Sequence, residues 1–189
     1  MKNITIILIA FFLFGSLLTN AQDDKDKKSG IRAGWQVSDL IKDGSKSDSA
    51  SNFNSFYVGF FRDTKIIPML HFGSGLEYFQ NGSNYGDNSK RVLHTISVPL
   101  NLKFKIGPVF ALAGVAGNFV VSEKLTLMDQ DVSPEDYGGK TNWFDLPAYA
   151  GVGVKILIVT IEARYHWGLL EARDGYNIQY FQLGAGISF

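Results

Sequence analysis

Cysteine is absent from the 189 residues. That excludes disulfides, thiolate metal sites, a cysteine nucleophile and the lipidated cysteine of a bacterial lipoprotein. A charge bias is missing too: 18 basic side chains stand against 18 acidic ones, so the whole chain offers no electrostatic footprint for nucleic acid. Histidine is scarce, at three residues. No long stretch carries a 3.6-residue apolar period with capping residues, which predicts little helix. The long apolar run over residues 4–18 has 15 residues, short of the roughly 20 that a helix needs to cross a bilayer.

What is present at the N-terminus reads as a signal peptide over 1–21. Lys2 gives a small positive start, "ITIILIAFFLF" the apolar core, and "TNA" the small residues at the −3 and −1 positions before Gln22. The competing reading, a retained anchor, suffers from the run's shortness. Cleavage after Ala21 removes Lys2 alone among the charged residues, leaving 17 basic and 18 acidic groups, a net of −1. A charged linker, "QDDKDKKS" (22–29), follows, and one domain is expected over 30–189.

The 20 glycines and 14% aromatics suit tightly built β-structure. Eight strand-like stretches recur, over 30–38, 55–62, 67–79, 93–106, 109–123, 143–156, 159–170 and 177–189. Their connections alternate. Long polar segments over 39–54, 80–91, 123–142 and 170–176 take turns with short links at 63–66, at "GP" and around Leu157. An up-and-down arrangement would gather tight turns at one end and loops at the other, as in outer-membrane barrels with short periplasmic turns. The link within "KILIVTI" has no Gly, Pro, Asn or Asp, so a single long bulged strand competes with a turn there. A turn is expected, because the polar positions change parity across it.

Apolar residues occupy one side of most strands: Ile96, Val98, Leu100, Leu102 and Phe104 in the fourth, Ile161, Ala163, Tyr165 and Trp167 in the seventh. The fifth is ambiguous, with Asn118 hinting that its even positions face inward. A soluble ligand-binding barrel would turn the apolar sides in; a membrane barrel turns them out. The other sides carry glycines among a few charges. Glycine weakens a water-facing strand, whereas small residues beside paired charges fit a narrow lumen. The expected fold is therefore all-β: an eight-stranded antiparallel up-and-down transmembrane barrel, closed so that no edge meets hydrocarbon.

The stretches "GIRAGWQVSDL", "SGLEYFQNGS", "ISVPLNLKFKIGPVFALAGVAGNFV", "FDLPAYAGVGV…IEARYHWGLLE" and "FQLGAGISF" give the chain a resemblance to the PorT family of outer-membrane β-barrels of the Bacteroidota. It covers roughly 30–189 and rests on diffuse glycine–aromatic patterns. The resemblance implies an outer-membrane location and, for some members, a link to protein secretion. Fold alone does not assign that role. The final strand, with Phe181 and the terminal Phe189, matches the aromatic-ended strand by which assembly machinery recognises such barrels. It is expected to pair with the first, with Phe189 at an interfacial girdle.

Seven charges fall on inward sides: Arg32, Glu77, Lys103, Lys105, Lys155, Glu162 and Arg164. In a narrow lumen they are expected to pair, because an unpaired charge away from water is costly. They read as a plug, with an ion-selective pore as the alternative. His71 and His166 face the lumen on the same parity and His94 lies near the loop-side rim, none with a serine and an acid on one strand face. No catalytic or metal role is expected, and no cofactor. The glycine stretches open no helix, so they cradle no phosphate. "DQDVSPED" lacks the spacing of a hand-type calcium loop. The expected product is a monomeric, non-enzymatic outer-membrane barrel, structural or adhesion-type or accessory to secretion; the alternative is a narrow-lumen transporter. Its partners would be outer-membrane lipid, the barrel-assembly machinery and secretion components.

Overall fold

Alternation with a period of two, sustained over a dozen residues at a time, builds strands long enough to cross a membrane and continue past it. The computed structural model describes residues 27–42, 45–46, 52–84, 90–127, 130–132, 142–170 and 176–189. The signal peptide expected over 1–21 and the linker as far as residue 26 lie outside the described residues.

The eight wall strands are β1 (Lys27–Lys42), β2 (Phe53–Ile67), β3 (Leu70–Asn84), β4 (Lys90–Ile106), β5 (Val109–Leu127), β6 (Pro147–Ile156), β7 (Val159–Gly168) and β8 (Tyr176–Ser188). Each pairs antiparallel with the next. β8 then pairs with β1 from Gly30↔Ser188 to Lys42↔Tyr176 and closes the barrel. Short strands at Ser45–Lys46, Gln130–Val132 and Phe144–Asp145 add to β1 and β5. β1 starts at Lys27, so the end of the charged linker is already wall.

The outside is apolar. Leu100, Leu102, Phe104, Ile161, Leu183 and Ile187 are all exposed, while the buried set is dominated by Arg, Glu, Asn, Gln and Ser. A soluble barrel has the reverse arrangement. Toward the loop end the outer surface carries rings: Trp35 meets Phe181 edge-on at 6.5 Å, and Phe119, Phe144 and Trp143 cluster within 6.1 Å. Such a girdle marks a membrane–water interface.

Three two-residue turns close the other end: Pro68–Met69, Gly107–Pro108 and Leu157–Ile158. The first corrects the link expected at 63–66. β2 runs on through Asp63 and Lys65, with a register shift between Lys65 and Ile67, and turns at Pro68. Proline's fixed φ suits the first central position of a tight turn, and Met69 takes the second with φ 73°. The polar residues that resembled a turn signal are strand residues: Asp63 points into the lumen, where polarity is the rule. The link within "KILIVTI" is a turn, made without a turn-forming residue: Leu157 itself adopts φ 57°.

β5 explains its own ambiguity. Even positions such as Phe110, Leu112, Ala116 and Asn118 are buried inside, but Leu125 is buried too. Val121 is an extra residue between Val120, opposite Thr95, and Ser122, opposite His94. This bulge shifts every later side chain to the other face.

Candidate functional site

The lumen is filled in layers, and the middle layer is ionic. Arg32 on β1, Glu77 on β3, and Glu162 and Arg164 on β7 are all buried. Glu162 and Arg164 are two apart on one strand, so both point inward. Arg164 donates from Nη1 and Nη2 to the two carboxylate oxygens of Glu77, at 2.8 and 3.3 Å. Arg32 reaches the same Glu77 carboxylate at 2.5 Å and donates to Glu162 at 3.0 Å. Arg164 Nε lies 3.4 Å from Glu162. Two cations and two anions thus form one closed, neutral cluster. Arg164 also lies over the Tyr57 ring at 5.1 Å and Arg32 over Phe61 at 5.4 Å, which lets the ring faces share the charge.

Glycine makes the room. A Cβ on Gly59 would lie 2.7 Å from Glu77 Cγ, and one on Gly151 would lie 2.9 Å from Arg164 Cγ. Bare wall opposite long charged side chains is what a barrel of this bore requires.

Toward the loops the cluster is capped by rings and amides. His166 is stacked between Tyr149 and Tyr180, with centroids at 4.6 and 4.1 Å. Its Nε2 pairs with Gln182 Oε1 at 3.1 Å. Gln182 donates to Gln36 at 2.7 Å, and Gln36 to Asn81 at 2.6 Å, a chain of amides crossing from β7 to β3. Asn118 and Asn101 donate to the hydroxyls of Tyr180 and Tyr149, at 3.2 and 3.0 Å. Phe79 packs on Tyr180 at 5.2 Å.

Toward the turns a second ionic group appears. Lys103 donates to both oxygens of Asp63 at 2.9 Å, and Lys105 to one of them at 3.3 Å. Lys103 also lies over the Phe110 ring at 4.8 Å. Lys155, half-buried, donates to Ser188 Oγ at 2.6 Å.

The seven inward charges therefore separate. Arg32, Glu77, Glu162 and Arg164 come together; Lys103 and Lys105 join Asp63 instead; Lys155 stands at the turn-end mouth with a neutral partner. Asp63, Tyr57, Tyr149, Tyr180 and the Gln36–Gln182 pair were missed in sequence. Asp63 was hidden in a supposed turn. The tyrosines sit on polar strand sides, a signal that could have found them. Phe189 has its side chain exposed, and its amide donates to the Ser29 carbonyl at 2.9 Å. Phe181 lies in the aromatic girdle against Trp35.

The histidines are scattered. His94 pairs with the Tyr78 hydroxyl at 2.7 Å on the outer face, and His71 lines the turn-end mouth. Among the described residues no group of three or more His, Asp or Glu is placed to hold a metal ion.

Solved outer-membrane proteins share this architecture. The crystal structure of Ail, the attachment invasion locus protein of Yersinia pestis, is 19% identical with a TM-score of 0.54, covering 87% of this chain and 99% of that one. Neisserial surface protein A is 14% identical with a TM-score of 0.52, covering 85% and 95%. This is the fold of a small outer-membrane β-barrel. At such identities the likeness concerns the barrel's architecture and carries nothing about its lumen. No protein-family model matches the chain, and no curated protein sequence matches it either.

Proposed function

We propose that this barrel is a closed, non-enzymatic module of the outer membrane, exported by its N-terminal signal and monomeric. It anchors a loop-bearing end at the cell surface, as a structural or adhesion-type protein or as an accessory to protein secretion. The secretion role is the one that the PorT-family resemblance implies. Lipid surrounds it, and the barrel-assembly machinery inserts it.

The observation that carries the reading is the cross-lumen clamp of Arg164 on Glu77, at 2.8 and 3.3 Å, with Arg32 and Glu162 closing the same cluster. A lumen crossed by charge pairs and packed above by stacked rings has little free cross-section for solute. The histidines support the non-enzymatic part, since His166 is wedged between two tyrosines and His94 faces outward onto Tyr78.

The test is electrical. Purified protein in planar bilayers is expected to give no steady conductance. Stable, ion-selective openings would overturn the plug and establish the narrow-lumen transporter instead. Mild crosslinking in native membranes, followed by co-purification, then separates the two roles. Secretion components should be captured by an accessory protein, and none by a free-standing adhesin.

A further inference from the structure

Beyond the ionic cluster, at the short-turn end, the lumen opens into a cavity of about 410 Å³. Lys28, Lys65, Lys105 and Lys155 line it, arriving from β1, β2, β4 and β6, with His71 from β3. Asp63 is the acidic side chain among the lining residues, and it already accepts from Lys103 and Lys105. Lys155 is held by a neutral hydroxyl, that of Ser188. Four lysines from four different strands therefore line a space whose lining carries one acidic side chain, itself engaged.

Like charges lining one cleft focus a positive potential there. A multivalent anion entering it would be attracted by several lysines at once. The size falls within the range of small-molecule sites, roughly 300–1,000 Å³. Lysine ammonium is a compact point charge with three donors, suited to the tetrahedrally arranged oxygens of a phosphate.

We propose that the short-turn mouth binds a small oxyanion of the phosphate class, held by Lys28, Lys105 and Lys155. Short turns face the periplasm in barrels of this type. The phosphate is then either dissolved or carried by a lipid headgroup of the adjoining leaflet. The site stands apart from the lumen plug and does not depend on whether the barrel conducts.

The probe is pyrophosphate, titrated into the full chain in neutral-detergent micelles and followed by calorimetry, with chloride matching the ionic strength. Saturable binding is expected. It should weaken about ten-fold or more in Lys105→Gln/Lys155→Gln, the order expected for two lost charge contacts. It should be largely kept in Lys105→Arg/Lys155→Arg and in Lys90→Gln, at the opposite end of β4. Heat-modifiable gel mobility checks that each variant is folded. If the double variant is not, Lys155→Gln alone should still show a smaller loss. In nanodiscs, weaker pyrophosphate binding with phosphatidylglycerol than with phosphatidylcholine carrying oleate to the same surface charge assigns the site to a lipid headgroup; equal binding assigns it to a dissolved anion. No saturable binding in micelles overturns the proposal. So does binding that survives the charge-removing substitutions, or that Lys90→Gln weakens as much as they do.

Discussion

Arg164 on β7 clamps Glu77 on β3 with two hydrogen bonds, although the two strands stand on opposite sides of the barrel. The pair is a strut across the full bore, between residues 87 apart in sequence. Neighbouring strands are held by backbone ladders; opposite strands are held only by such side chains. The amide chain from His166 through Gln182 and Gln36 to Asn81 spans the same two strands by a longer route.

Breaking the strut should be expensive. Glu77→Gln keeps the volume but leaves Arg164 and Arg32 with Glu162 as their shared counter-charge. Removing one partner of a buried pair typically costs about 3–5 kcal/mol. Glu77→Met/Arg164→Met should cost less than Glu77→Gln alone, since no buried charge is stranded. Urea unfolding midpoints in lipid bilayers measure both. A single variant as stable as the unmodified protein would show that the cluster contributes nothing to holding the wall.

The outer face should tolerate loss of bulk but not gain of charge. Leu100 is exposed at mid-strand on β4. Leu100→Arg should destabilise by roughly 2–4 kcal/mol, the cost of a cation at the bilayer midplane. Leu100→Ala should cost far less, because lipid fills the gap. Equal effects of the two would mean that Leu100 does not meet hydrocarbon. Asn101, one residue on, is no neutral control. It bonds Tyr149, and a Cβ on Gly73 would lie 2.8 Å from its side-chain nitrogen, so an arginine has no room there.

Leu157 stores backbone strain. It holds φ 57° and is 90% exposed, so little packing compensates for the left-handed conformation. Leu157→Gly should raise stability by about 1 kcal/mol, the usual penalty for an L-residue there. A lower unfolding midpoint in the variant would show that the leucine gains more from the membrane surface than it loses in the turn.

Absence of cysteine permits a clean topology test. Asn142→Cys, at the loop end, should react with a membrane-impermeant maleimide in intact cells. Leu157→Cys, in a tight turn, should react only after permeabilisation. The opposite pattern would invert the barrel and place the lysine-lined mouth outside.

Much of the wall was legible because it depends on one local rule. A period of two with one apolar side specifies both the strand and its lipid face, as Leu100 and Asn101 show. Turns were legible where glycine or proline forces them, as at Gly107–Pro108. At Pro68 the proline lies inside an apolar run that has a strand's pattern, while Asp63 and Lys65 imitate a turn. The bulge at Val121 leaves no mark in composition, since an extra valine in a strand looks like any other. Which charges meet was the least legible. Lys103 and Glu77 share an inward parity on adjacent strands, yet Lys103 bonds Asp63. Partner choice in the lumen depends on depth along the bore, which sequence spacing gives only after the register is known.

The ionic cluster also bears on how a barrel with charges in its middle can be closed at all. β1 and β3 bring one charge of each sign, Arg32 and Glu77, which meet in the closed barrel. β7 brings another opposed pair, Glu162 and Arg164, on a single strand. Either sheet fragment is neutral at this depth before the two meet. Curling the wall shut therefore joins two self-compensated pairs, whose own contacts persist beside the new ones, without carrying any net charge into the interior. A design with both arginines on one side and both glutamates on the other would end in the same cluster, but would have to desolvate two like charges on the way there.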